Sequence, residues 1–148
     1  MNKPSSLFDQ CVQQLQYSPP QTITNNGKPA GYGSTDDATR YFSESPLYTA
    51  VWMVHDAPDE KRKYSPPHVH DFPELNILVG REDDPGSLVY EILIGDEKRE
   101  VTSPATILIP PHTPHSANIL RGTGVYVAVR VEPEQIAQSV ALSPKKVA

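Results

Sequence analysis

The stretch His68-Val69-His70-Asp71-Phe72-Pro73-Glu74, answered farther along by Ile109-Pro110-Pro111-His112-Thr113-Pro114-His115, decides how this chain is read. Together the two stretches offer three imidazoles, His68, His70 and His115, and one carboxylate, Glu74. Alternate residues of a strand project from one face, so His68 and His70 can converge on one ion. Glu74 keeps that parity if the strand runs on through Phe72, and Pro73 predicts a local bulge that re-aims the carboxylate. Nothing local brings in His115; the fold has to close for it to join. The plainer alternative is a surface histidine pair in a proline-rich loop. A bare H-x-H is a weak signal. The added carboxylate and third imidazole favour a metal site, because such groups are costly to bury without partners.

Working outward, strand signals dominate. Leu47–His55 is β-branched, aromatic and apolar on both faces, which predicts burial on both sides and a homodimer; the alternative is a monomer with that strand capped by the N-terminal arm. Leu75–Val79 follows Glu74, and the loop Arg81–Gly86 is a turn by composition. Leu88–Ile94 and Lys98–Thr102 read as a hairpin about Gly95-Asp96. Thr106–Ile109 is a short apolar strand stopped by Pro110-Pro111. Val125–Val131 alternates, with the valines on one face expected in the core and Tyr126, Ala128 and Arg130 expected outside. Residues 5–17 predict one short helix, with Ser5 or Ser6 as cap and Leu7, Cys11, Val12 and Leu15 as its apolar stripe. From residue 21 to 39 the chain is polar with no sustained period, an arm. Many short strands with turns about every ten residues indicate an all-β antiparallel sandwich or barrel.

The two quoted stretches resemble the two short motifs of the cupin family. The first closes at Gly80 and the second is followed by Asn118. The family pattern would place glycines where Arg62, Pro104 and His112 stand, its closing Gly at Arg81 and its closing Asn at Ile119. All four ligand types are nevertheless in place. The resemblance covers residues 45–131 and implies a jelly-roll barrel, with a short helix and arm over 1–44 and a tail over 132–148. It implies one divalent transition metal ion (Fe, Mn, Ni, Cu or Zn) on His68, His70, Glu74 and His115, with a position left for water or a small molecule. Cupins of this pattern include dioxygenases, isomerases, decarboxylases and lyases as well as binding modules, so the fold alone does not name the reaction.

Composition sets the outer bounds. The chain has 148 residues, enough for one domain, and its 16 prolines favour turns and strand ends over long helices. A formal charge of −5 gives no basic face for nucleic acid. No apolar run approaches the ~20 residues that span a bilayer, and Met1–Gln10 lacks the apolar core of a secretory signal. The single cysteine, Cys11, forms no intrachain disulfide and is expected to be a small buried residue. A reducing cytoplasm is the expected location.

Weaker site candidates are His55 at a strand end, Asn76 with the parity of Glu74, Glu91 as a base if it points inward, and Tyr126 with Arg130 if their face is internal. Asp71 has the wrong parity for the metal, and His112 is expected at the surface. The leading expectation is a metal-dependent small-molecule cupin enzyme, with a dioxygenase acting on a small organic acid or diketone as the first case. The alternative is a non-catalytic, metal-containing cupin that binds a small ligand for sensing or storage.

Overall fold

The computed structural model describes residues 6–12, 14–18, 22–25, 28–32, 37–43, 48–59 and 66–131, with the backbone alone for 10, 18, 22–25 and 28–32. Among the described residues, one helix, α1 (Leu7–Cys11), precedes ten strands. These are β1 (Gln16–Ser18), β2 (Thr22–Asn25), β3 (Lys28–Tyr32), β4 (Ala38–Ser43), β5 (Thr49–Ala57), β6 (Glu74–Val79), β7 (Leu88–Ile94), β8 (Glu97–Thr102), β9 (Ala105–Ile109) and β10 (His115–Arg130). Every strand pairing is antiparallel. The main sheet runs β1-β4-β5-β10-β6-β9, β7 branches from β10 and carries β8, and β2-β3 form a separate hairpin. The fold is all-β, as the strand pattern predicts, and among the described residues the sheet does not close on itself.

β10 joins the two arms of this sheet. Its first half pairs with β7, and its second half lies between β5 and β6. The corner falls at Gly122–Gly124, where the register with β5 shifts. Gly122 has φ +98°, and a Cβ there would overlap the Ser87 carbonyl; one on Gly124 would overlap that of Val79. Only glycine allows three strands to approach this closely.

Cross-strand partners share a face, so the register identifies the interior. Tyr126 lies opposite Trp52 on one side and Leu78 on the other; Ala128 opposite Ala50 and Asn76; Arg130 opposite Glu74. Leu78, Tyr126 and Ala128 are buried with Val54, Leu88, Tyr90, Ile107 and Ile109. The valine face of β10 is therefore the outer one, contrary to the sequence expectation. Alternation shows that a strand has two faces but not which is inside, and here the aromatic face packs inward: Tyr126 stacks on Tyr90 at 4.6 Å and leans on Trp52 at 5.1 Å.

The outer face is apolar too. Val125 aligns with Met53 and Val79, Val127 with Val51 and Ile77, and Val129 with Thr49 and Leu75. Met53 and Val79 are exposed.

Three further expectations are corrected. The helix predicted over 5–17 is confined to Leu7–Cys11, with a Ser6/Asp9 capping box at its start and Val12 already extended. Strand pairing accounts for the early stop, because Gln16–Ser18 pairs with Arg40–Phe42 of β4. Leu7, Phe8, Val12 and Leu15 are exposed, and so is Cys11, which had been expected in a core. The arm also contributes a regular strand, β4, whose six residues pair along β5. The tail over 132–148 lies outside the described residues.

Candidate metal centre

The backbone assembles the site first. His68 and His115 form an antiparallel bridge, each amide donating to the other's carbonyl at 3.0 Å. The His112 amide then donates to the His70 carbonyl at 2.9 Å. The turn after β9 carries His112 at φ +58°, which brings His115 back to begin β10. Between His70 and Glu74 there is a bend at Asp71-Phe72 rather than the strand with a bulge that was expected. Glu74 opens β6, opposite Ile109 and Arg130.

Side chains complete the cluster. Four ligand atoms, one each from His68, His70, Glu74 and His115, lie within 4.8 Å of one another. An ion bonded at about 2.0–2.2 Å separates opposite ligands by up to about 4.4 Å, so the set needs only a few tenths of an ångström of contraction. His70 Nδ1 bonds the Phe72 carbonyl at 2.8 Å, and His115 Nδ1 bonds the Thr113 carbonyl at 2.8 Å. A carbonyl only accepts, so each Nδ1 carries a proton and leaves Nε2 as the ring nitrogen that can ligate through a lone pair. Yet His70 Nε2 is 2.8 Å from Glu74 Oε2, and His115 Nε2 is 3.7 Å from the same oxygen. Two acceptors at 2.8 Å need a proton or a cation to hold them. His115 Nε2 is buried and makes no hydrogen bond among the described residues. The donor set fits a divalent transition ion on both counts.

The electrostatics follow. Burial pushes the Glu74 carboxyl up, but the neighbouring His115 and His70 imidazoles and the Asn76 amide outweigh it and hold the group well below the usual carboxylate range. The Asn76 amide donates to Glu74 Oε1 at 2.8 Å, leaving Oε2 toward the imidazoles. Burial, then the neighbouring His115, lowers His68 to about 4, so its ring stays neutral and able to ligate at neutral pH. Phe72 stacks on His70, with centroids 4.5 Å apart and planes 11° apart, and fixes the ring.

The other candidates divide. Asn76 is fully buried against Glu74, and Tyr126 is buried on the interior face, its hydroxyl pKa raised by burial. Arg130, expected outside, is at the cluster: its Nε is 3.9 Å from Glu74 Oε2 and its guanidinium lies 4.1 Å over the Tyr48 ring. His55 is exposed and bonds Thr39 instead, while Glu91 faces Lys98 at 3.6 Å. Asp71 and His112 are exposed and pair with each other at 3.4 Å. Sequence reasoning did not single out Phe72 or Tyr48. Phe72 sits between ligands and could have been suspected; nothing in the sequence ties Tyr48 to Arg130.

No protein-family model matches the chain, and no curated protein matches it. Similar solved structures include an RmlC-like cupin from Shewanella frigidimarina, at 12% identity and TM-score 0.46, covering 82% of this chain and 98% of that one. A Cupin 2 conserved barrel domain protein from Salinispora arenicola matches at 15% identity and TM-score 0.47, over 69% of this chain and 80% of that one. The polyketide cyclase RemF from Streptomyces resistomycificus matches at 16% identity and TM-score 0.49, over 88% of this chain and 79% of that one. Among the described residues, no helix is long and apolar enough to cross a membrane.

Proposed function

We propose that this chain is a metal-dependent cupin enzyme acting on a small organic molecule, with an oxygen-using dioxygenase as the first reaction to test. The observation that carries this is the convergence of His68, His70, Glu74 and His115 on one point, where His70 Nε2 and a carboxylate oxygen of Glu74 face each other at 2.8 Å. When bound, a divalent ion supplies Lewis acidity or, as iron, a means of using dioxygen. The chain's own residues do the rest. Asn76 orients the carboxylate, the Phe72 and Thr113 carbonyls set the imidazole tautomers, and the packed rings of Trp52, Tyr90 and Tyr126 line the interior beside the site. A cytoplasmic location and a small-molecule partner, without nucleic acid, belong to the same proposal.

The experiment is metal analysis of protein purified without chelator, with oxygen uptake measured against a panel of small acids and diketones. Bound iron and uptake support the dioxygenase. Bound zinc without uptake redirects the search to isomerase, lyase or decarboxylase chemistry. Ligand-induced stabilisation with no product under any of these conditions favours a non-catalytic binder.

The homodimer also belongs to the proposal. The outer face of β5, β10 and β6 presents Val51, Met53, Val125, Val127, Ile77 and Val79 in register without a charged residue among them, so it can pair with itself in a second copy. Light scattering at twice the chain mass supports this; a monomer at micromolar concentration overturns it.

A further inference from the structure

Arg130 is the charged group at this site whose presence metal binding alone does not explain. It lies opposite Glu74 in the β6–β10 register, on the interior face. Its Nε is buried and makes no hydrogen bond among the described residues, and at 3.9 Å from Glu74 Oε2 it is beyond hydrogen-bond reach. A buried donor left unpaired is destabilising, and a purely structural arginine would be expected to close that gap. The side chain as a whole is 30% exposed, so its planar fork opens to solvent while the inner nitrogen stays covered. It is held there from two sides. Its guanidinium stands 4.1 Å over Tyr48 and 5.5 Å from Phe72, the ring that also stacks on His70. Its amide is fixed to the Tyr48 carbonyl at 3.1 Å. Tyr48 is itself anchored, its hydroxyl accepting from Arg40 at 3.1 Å.

The charge balance points the same way. A divalent ion on three neutral imidazoles and one carboxylate is still cationic, and a guanidinium beside it adds further positive charge. Such a site is complemented by an anion, and a fixed guanidinium fork matches a carboxylate in shape as well as charge.

We propose that Arg130 is a substrate-binding residue that takes the carboxylate of a small organic acid, so that the substrate is an acid and not a neutral diketone. This rests on the reading of the cluster as a small-molecule site. Tyr48 and Phe72 are positioning residues in this account, holding the fork while Phe72 holds His70.

The test uses two matched probe pairs, pyruvate with pyruvamide and benzoate with benzamide. Each is titrated calorimetrically into the full chain, both zinc-loaded and metal-free. In the wild type we expect at least one acid to bind about 10-fold or more tightly than its amide. In Arg130→Gln the acid should weaken by about 10- to 100-fold and the amide should not change, which removes the preference. Arg130→Lys keeps the charge but not the fork and should fall between. Neither acid binding the wild type, no preference for acid over amide, or an acid preference that survives in both variants overturns the proposal. The wild-type comparison decides even if a variant does not fold. An acid preference in a chain that retains no metal sinks the enzyme reading alone; retained metal with no acid preference sinks this one alone.

Discussion

His68 and His115 are joined by two main-chain hydrogen bonds of 3.0 Å, so the pairing that brings these two rings together does not depend on the rings themselves. Fold and metal affinity can therefore be separated by mutation. His68→Ala keeps both backbone bonds and removes one donor. Its far-ultraviolet circular dichroism should match the wild type, while bound metal falls from one ion per chain to near none. Loss of both together would mean that the ring, not the backbone, holds the two segments in place.

Asn76 touches no ion in this account, yet it fixes one oxygen of Glu74 at 2.8 Å from a fully buried position. Asn76→Ala should retain the fold and weaken metal binding by about 10- to 100-fold, the usual range for a residue that orients a ligand. Competition with a chelator of known affinity measures this.

The corner of β10 makes a prediction about stability. Gly124→Ala sets a Cβ against the Val79 carbonyl, and Gly122→Ala sets one against that of Ser87 at a positive φ. Each should cost about 2 kcal/mol or more in denaturant unfolding, because a backbone carbonyl has to move. Gly95 has φ +65° but open space around it, so Gly95→Ala should cost only about 1 kcal/mol.

The metal-free protein should lose stability on mild acidification. His68 falls from 6.5 to about 4 in the fold through burial and the nearby His115, so between those values the unfolded chain binds more protons than the native one. Stability should therefore drop as pH falls from about 6.5 toward 4. Glu74 is also depressed, so its contribution is present above the ordinary carboxylate range and goes only in stronger acid. Urea midpoints measured across this range check the order, and His68→Ala should flatten the first step.

Much of the centre was legible because its parts are local. His68 and His70 are two residues apart, Glu74 opens an apolar run, and prolines mark the turn before His115. The hairpin about Gly95-Asp96 was readable for the same reason: a Gly-Asp turn between two strand-length segments. What escaped the sequence is set by pairing at a distance. The first half of β10 carries Ser116, Asn118 and the corner glycine Gly122, which break the alternation, yet it is held as a strand by β7. Which face of Val125–Arg130 points inward depends on its register with Glu74, Asn76 and Leu78, and no periodicity contains that. The same misjudged face hid Arg130. The helix over 5–17 was overextended because β1 finds its partner in β4, far from the local pattern.

The most direct test of the central claim is an anomalous difference map from crystals grown with zinc or manganese. One dominant peak within about 2.0–2.3 Å of nitrogen atoms from His68, His70 and His115 and an oxygen of Glu74 is the predicted result. The ion bound elsewhere, or no peak among these four side chains at saturating metal, would contradict it.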